Sequence, residues 1–152
     1  MPGTYSQLLL HVVFSTKNRT PWITCDVSAR LYPYIGGIVR ADPHKGVLYD
    51  IGGVEDHVHM YLRSRPDESV SGLMRTVKSR SSKWLHDEFP ALSAFAWQEG
   101  YSVFSVSKSQ EQAVKKYIAG QAEHHTKEDF KSELLRILRA HGVEFDEQYV
   151  FD

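Results

Sequence analysis

Four alternating apolar stretches of strand length, two helical-period stretches set between them and two more after the last strand predict an α+β fold. The order β-α-β-β-α-β, in a chain of 152 residues, is that of a ferredoxin-like or RRM-like domain. Such a domain is an antiparallel four-stranded sheet with helices on one face, here with C-terminal helices appended. The length suits one domain over residues 1–152 with one substantial core.

The first strand spans Gln7 to Ser15, where Leu8, Leu10, Val12 and Phe14 alternate with Leu9, His11, Val13 and Ser15. Apolar residues on both sides mark it as buried. Lys17 to Pro21 is a turn. Asp26 is placed to cap a helix through about Arg40, with Leu31, Ile35, Ile38 and Val39 as its apolar side. Pro33, Gly36 and Gly37 weaken that helix, and Asp42-Pro43 ends it. Val47 to Val54 is a second strand, Gly52 to Asp56 a turn or bulge, and His57 to Ser64 a third strand. In the third strand Val58, Met60 and Leu62 face one way and His57, His59, Tyr61 and Arg63 the other. A helix from Ser69 to Asp87 has Val70, Leu73, Met74, Val77, Trp84 and Leu85 as its core stripe, with Arg75, Lys78, Ser79, Ser82 and Lys83 away from it. The fourth strand lies within Phe95 to Ser107. Ser109 and Gln112 form a capping box that opens a helix through about His124. Residues 127–141 form the last helix, with Phe130, Leu134, Ile137 and Leu138 inward and Gly142 at its end. The basic unit leaves one sheet face open, and His57 and His59 are expected on it.

The hydrophobic share of 41% and the charged share of 24% are ordinary for a soluble globular domain. Cys25 is the only cysteine, which excludes an internal disulfide and suits a reducing, cytoplasmic setting. Residues 1–7 lack the basic start of a secretory leader, and no apolar run approaches a membrane span. A net charge of −1 runs against nucleic-acid binding, which basic side chains drive by neutralising phosphates. The charge is segregated, however. Residues 63–83 hold six basic side chains against two acidic ones, a local +4, whereas residues 144–152 hold four acidic and no basic ones. A solvated helix face explains the basic stretch as simply as a phosphate-binding one.

Strand geometry aims His57 and His59 at the same side, and helix geometry does the same for Tyr117 and Gln121. Two imidazoles and an amide oxygen are donors for a divalent cation, and a phenol beside a polarised phosphodiester is a nucleophile. Oxygen and imidazole donors suit Mg²⁺ or Mn²⁺. His-x-His alone is a weak signal, and Tyr117 follows the apolar spacing of Ala113, Val114 and Ile118, as a core tyrosine would. Gln121 resists that simpler reading, because a buried amide needs partners. His124 and His125 read as exposed residues at a helix end, where cations are favoured. Glu55 and Asp56 read as turn residues, with a carboxylate behind the histidines as the sharper alternative. Trp22, Trp84 and Trp97 could stack on bases, although Trp84 falls on a core stripe.

Taken in order, these segments resemble the single-tyrosine HUH transposases, the IS two-hundred / IS six-oh-five group of small insertion sequences. Residues 7–19, QLLLHVVFSTKNR, are similar to the opening strand and basic turn of that family, Lys17 and Arg19 included. Residues 52–60, GGVEDHVHM, resemble its histidine-hydrophobe-histidine strand, and residues 97–106, WQEGYSVFSV, the strand before its catalytic helix. Residues 114–121, VKKYIAGQ, resemble that helix, with Tyr117 at the nucleophile and Gln121 at the third metal ligand beside His57 and His59. The ending at residues 141–146, HGVEFD, is also similar.

The resemblance implies a bacterial or archaeal DNA-cleaving and rejoining enzyme that uses Mg²⁺ or Mn²⁺. It would recognise hairpins at element ends in single-stranded DNA and cleave through a 5′-phosphotyrosine link. That link conserves the bond energy, so ATP is not needed, in keeping with the lack of a Gly-rich nucleotide loop. The resemblance further implies a homodimer in which the Tyr117 helix completes the partner's site in trans. Arg75, Lys78 and Lys83, with Lys17 and Arg19, are candidate DNA contacts. The main rival is a hairpin-binding module of the same fold that does not cut, and a water-using metal hydrolase is a further one.

Overall fold

The computed structural model describes residues 3–151. Strands β1 (Leu8–Ser15), β2 (Val47–Val54), β3 (His57–Ser64) and β4 (Ser102–Val106) form one antiparallel sheet in the order β2-β3-β1-β4. Helix α1 (Cys25–Arg40) links β1 to β2, and α2 (Val70–Glu88) links β3 to β4. This is the split βαβ order expected from the sequence. β1 and β3 are the inner strands, which is why both carry apolar residues on both faces.

One face of the sheet packs Val12, Phe14, Val58, Met60 and Leu62 against Leu31, Ile35 and Ile38 of α1 and Leu73, Met74, Val77 and Leu85 of α2. The second face is roofed rather than open. Helices α3 (Glu111–Ala119), α4 (Gln121–His124) and α5 (Phe130–Ala140) lie over it. Ile118 of α3 packs with Leu9 and Tyr61, while Phe130, Leu134, Ile137 and Leu138 of α5 pack with Val13 and Phe104. Leaving Leu9, Val13 and Phe104 in water would forgo roughly 1.5–3 kcal/mol each, so the appended helices close that face.

Several boundaries differ from expectation, each for a local reason. α1 begins at Cys25 after Thr24, and Asp26 sits within the first turn, where it faces the positive end of the helix dipole. α2 is capped by Ser69, whose Oγ accepts from the Gly72 N–H at 3.0 Å. The Ser109–Gln112 capping box does not form: residues 108–110 make a 3₁₀ turn, Ser109 Oγ lies 2.9 Å from Ser107 Oγ, and α3 starts after Gln110 without a side-chain cap. The helix expected to run to His124 divides at Gly120. α5 starts at Phe130 rather than 127, because Asp129 caps it by accepting from the Ser132 N–H at 2.9 Å. Trp84 is only partly buried and stacks on Tyr34, with ring centroids 4.6 Å apart.

One glycine sets how the roof sits. A Cβ at Gly52 would lie 2.8 Å from the Ile118 carbonyl oxygen and 3.0 Å from its Cγ2. Gly52 pairs with His59 in the β2–β3 register. Only a residue without a side chain lets α3 rest on the sheet beside that histidine.

Candidate active site

β3 points His57 and His59 into the space under the roof, and both are completely buried. α3 brings Tyr117 over His59, with ring centroids 5.6 Å apart. One helical turn later α4 opens with Gln121, whose Oε1 lies 3.0 Å from His57 Nε2. The Gln121 amide donates from Nε2 to Glu133 Oε2 at 3.2 Å, which fixes Oε1 toward the histidine. All four residues that the sequence singled out are therefore gathered in the one chain described.

Glu133 of α5 stands at the centre and is completely buried. Its Oε1 is 3.0 Å from His59 Nε2 and 3.2 Å from His57 Nε2. Its Oε2 accepts the Tyr117 hydroxyl proton and lies 3.2 Å from His125 Nε2 and 3.5 Å from His124 Nε2. His124 and His125 thus turn toward the carboxylate instead of standing exposed at a helix end. Arg136, one turn further along α5, donates from Nη2 to the Tyr117 hydroxyl at 2.9 Å.

Behind the histidines a further layer holds their rings. His57 Nδ1 donates to Asp56 Oδ1 at 2.7 Å, so its Nε2 is the nitrogen turned to the centre. His59 Nδ1 lies 2.8 Å from His11 Nε2. His59 Nε2 is likewise the nitrogen turned to the centre, 3.0 Å from Glu133 Oε1. Asp56 therefore serves both in the β2–β3 turn and behind a histidine.

The electrostatics favour a positive charge at this point. Burial opposes a charged His57, but its bonds to Asp56 and Glu133 outweigh that and raise its pKa to about 9. His59 goes the other way: burial, aided by the charge of His57, lowers it to about 4 despite Glu133. Burial and the neighbouring His59 lower His11 to about 3. Burial also works against the Glu133 carboxylate ion, yet hydrogen bonds from His57, His59 and Tyr117 hold the group well below the usual carboxylate range. Burial and Glu133 push the Tyr117 hydroxyl above the ordinary tyrosine value, with Arg136 pulling in the opposite direction.

The donor set fits a small divalent cation. His57 Nε2 lies 3.0 Å from Gln121 Oε1 and 3.2 Å from Glu133 Oε1, Glu133 Oε1 lies 3.0 Å from His59 Nε2, and the donor atoms of His57, His125 and Glu133 all lie within 4.8 Å of one another. Polar atoms so close require a proton or a cation among them.

The candidate DNA contacts lie elsewhere. Arg75, Lys78 and Lys83 belong to α2, on the face of the sheet away from the histidines. Lys78 Nζ donates to the carbonyl oxygens of Gln98 at 2.9 Å and Glu99 at 3.0 Å, and also to that of Gly100. It anchors the loop before β4 and offers a phosphate charge rather than a free donor. Lys83 pairs with Asp87 at 2.9 Å. Arg75 and Lys78 line a cleft of about 560 Å³ with Trp97 and Tyr101. Lys17 and Arg19 lie in the turn after β1, where Asn18 (φ 58°) and Arg19 (φ 56°) take left-handed conformations. Arg19 shares a cleft of about 390 Å³ with Asp56, His125 and Asp129, at the edge of the buried cluster.

Sequence reasoning missed His11, Glu133 and Arg136. Glu133 had a visible signal: it occupies an inward position in the stripe Phe130, Leu134, Ile137, Leu138, where a lone charge needs a partner. His11 had a weaker one, lying on the same strand face as Leu9 and Val13. Arg136 carried no local signal.

Comparison with known proteins finds relatives of this chain and of its fold. The ISDra2 transposase TnpA of Deinococcus radiodurans is 23% identical over 131 residues, covering 83% of this chain and 90% of its own. A solved transposase structure from Deinococcus radiodurans superposes with a TM-score of 0.65 at 22% identity, over 80% of this chain and 95% of that one. A REP-associated tyrosine transposase bound to a REP hairpin superposes with a TM-score of 0.60 at 16% identity, over 82% and 73% of the two chains. The two superpositions establish a shared fold. Residues 4–121 match the family described as "Transposase IS200 like", a segment that holds both histidines, the tyrosine and the glutamine, and the chain belongs to that transposase family.

Proposed function

We propose that this transposase is a metal-dependent single-stranded DNA endonuclease and strand transferase that acts at hairpins and holds the cut strand on Tyr117. The observation that carries the reading is the convergence of His57, His59 and Gln121 donor atoms beside the Tyr117 hydroxyl, all in one buried cluster. A divalent cation held by those three residues, Mg²⁺ or Mn²⁺, would polarise the scissile phosphate and offset the charge of the transition state.

The chain's own residues supply the rest. His11 and Asp56 hold the rings of the two imidazoles. Glu133 Oε2 and Arg136 Nη2 fix the Tyr117 hydroxyl from two sides. Tyr117 attacks phosphorus, its oxygen joins the 5′-phosphate, and the bond to the 3′-oxygen breaks to leave a 3′-hydroxyl. Arg136 favours the phenolate needed for attack, and Glu133 Oε2 is the acceptor already facing that proton. Rejoining reverses the step with a different 3′-hydroxyl, without ATP.

The neighbouring REP-associated transposase is bound to a hairpin, which supports a DNA hairpin as the partner here. Arg19, at the cleft beside the cluster, and Arg75 on α2 are the proposed phosphate contacts. The contact between Tyr117 and His59 of the same chain supports a site built in cis, whether or not two copies associate.

The test is nicking of an end-labelled single-stranded DNA carrying a hairpin, measured with Mn²⁺, with EDTA, and with His57→Ala combined with His59→Ala. Cleavage with Mn²⁺ that is lost in EDTA and in the double variant, with hairpin binding retained, is expected. Cleavage that persists in EDTA contradicts the metal role. Hairpin binding without cleavage under every condition makes the protein a binding module.

A further inference from the structure

We propose that Glu133 is a fourth protein ligand of the divalent cation, its one anionic ligand, and that the same carboxylate ties the Tyr117 hydroxyl to the metal centre. The inference rests on the metal-dependent reading above and adds a residue from α5 to a site otherwise built from β3 and α4. Three observations carry it. First, Glu133 Oε1 stands 3.0 Å from His59 Nε2 and 3.2 Å from His57 Nε2, the same kind of separation as between His57 Nε2 and Gln121 Oε1. With His57 and His125, Glu133 also forms a set whose donor atoms all lie within 4.8 Å of one another. Second, its carboxylate is completely buried. A buried carboxylate is costly unless a positive charge faces it, and a divalent cation held with His57 and His59 would supply that charge in place of a proton on the imidazoles. A cation among these groups would meet the carboxylate and the imidazole nitrogens together. Third, two imidazoles and one amide make a neutral set, whereas Mg²⁺ and Mn²⁺ favour carboxylate oxygen.

The two oxygens then divide the work. Oε1 faces the histidines and Oε2 accepts from Tyr117, so one rigid side chain sets the distance between cation and nucleophile. Gln121 Nε2 donates to Oε2, and the Asp129 cap orders the first turn of α5. An octahedral ion with four protein ligands keeps two positions for phosphate oxygen.

The test is calorimetric titration of Mn²⁺ into the DNA-free protein, which reads metal affinity without any cleavage. Glu133→Gln preserves shape and removes the charge. Loss of groups that merely orient a ligand typically weakens metal binding about 10–100-fold, so loss of a direct ligand is expected to weaken Mn²⁺ binding at least tenfold. Affinity equal to or tighter than that of the natural protein overturns the inference, because the carboxylate would then be a plug that the cation must displace. If Glu133→Gln does not fold, as judged by circular dichroism, Glu133→Asp decides: it keeps the charge one methylene short, and unchanged affinity overturns the inference. Failure of the natural protein to bind Mn²⁺ overturns the metal-dependent reading as well. Binding that is lost in the His57→Ala, His59→Ala protein but unchanged in Glu133→Gln overturns the role of Glu133 alone.

Discussion

A methyl group at Gly52 should damage the site without touching any of its polar residues. The Cβ of Gly52→Ala would stand 2.8 Å from the Ile118 carbonyl oxygen and 3.0 Å from Ile118 Cγ2. Ordinary contact between such atoms is nearer ~3.5 Å, so α3 must lift by roughly 0.5 Å or more or β2 must buckle. The interior is close-packed and does not absorb such a shift freely, and overpacking of this kind costs about 1–3 kcal/mol. Ile118 directly follows Tyr117 and lies three residues before Gln121, so the lift moves both candidate functional groups away from His57 and His59. A displacement approaching 1 Å can cost ~100-fold in rate when it separates reacting groups. Two assays read the two consequences. Denaturant unfolding should show lower stability with an unchanged slope, and nicking of hairpin DNA should fall by one to two orders of magnitude under conditions where the variant is folded. A Gly52→Ala protein with natural stability and natural cleavage would refute the argument that the glycine sets the height of the catalytic roof.

Asp129→Ala removes the side-chain cap of α5 and should cost about 1 kcal/mol of stability by unfolding; cleavage should fall further than stability, because the frayed turn carries Glu133. Burial, with the Cys25 and Glu55 charges, raises the Tyr32 hydroxyl to about 12 from 10.0. A raised value means that the unfolded chain releases this proton first, so stability is full below pH 10 and drains away as pH climbs toward 12. Tyr32→Phe should flatten the stability–pH curve in that window, and an unchanged curve would remove Tyr32 as the cause. Mixing a His57→Ala, His59→Ala protein with a Tyr117→Phe protein should give no cleavage if the site is built in cis. Recovery of cleavage in the mixture, with subunit exchange followed by tags, would place the tyrosine helix in trans.

The sheet was legible because its signal is local. Alternation in β1 and β3 and the two short hydrophobic periods of α1 and α2 each contain their own pattern, and the β2 and β3 bounds agree with those read from the sequence. The roof was not legible as a roof, because nothing within residues 108–140 states which surface they cover; that answer lies in the second apolar side of β1, at Leu9 and Val13. The same division holds in the cluster. His57 and His59 lie two residues apart and Tyr117 and Gln121 four apart, so simple geometry pairs them. His11, Glu133 and Arg136 join only through tertiary packing, across 48 residues between His11 and His59 and 74 between His59 and Glu133. Basic residues misled in the opposite direction. Lys78 read as a candidate phosphate contact, yet its ammonium is enclosed by backbone carbonyls that no local pattern reveals.

The central claim is that Tyr117 becomes joined to the DNA. The most direct measurement is mass spectrometry of the covalent adduct formed with a hairpin-bearing single strand and Mn²⁺, after digestion of protein and DNA. The account predicts a 5′-phosphonucleotide on the peptide that contains Tyr117, absent in EDTA and absent in Tyr117→Phe. Cleaved DNA with no adduct would point to water as the nucleophile, and an adduct on another tyrosine, such as Tyr101, would contradict the assignment.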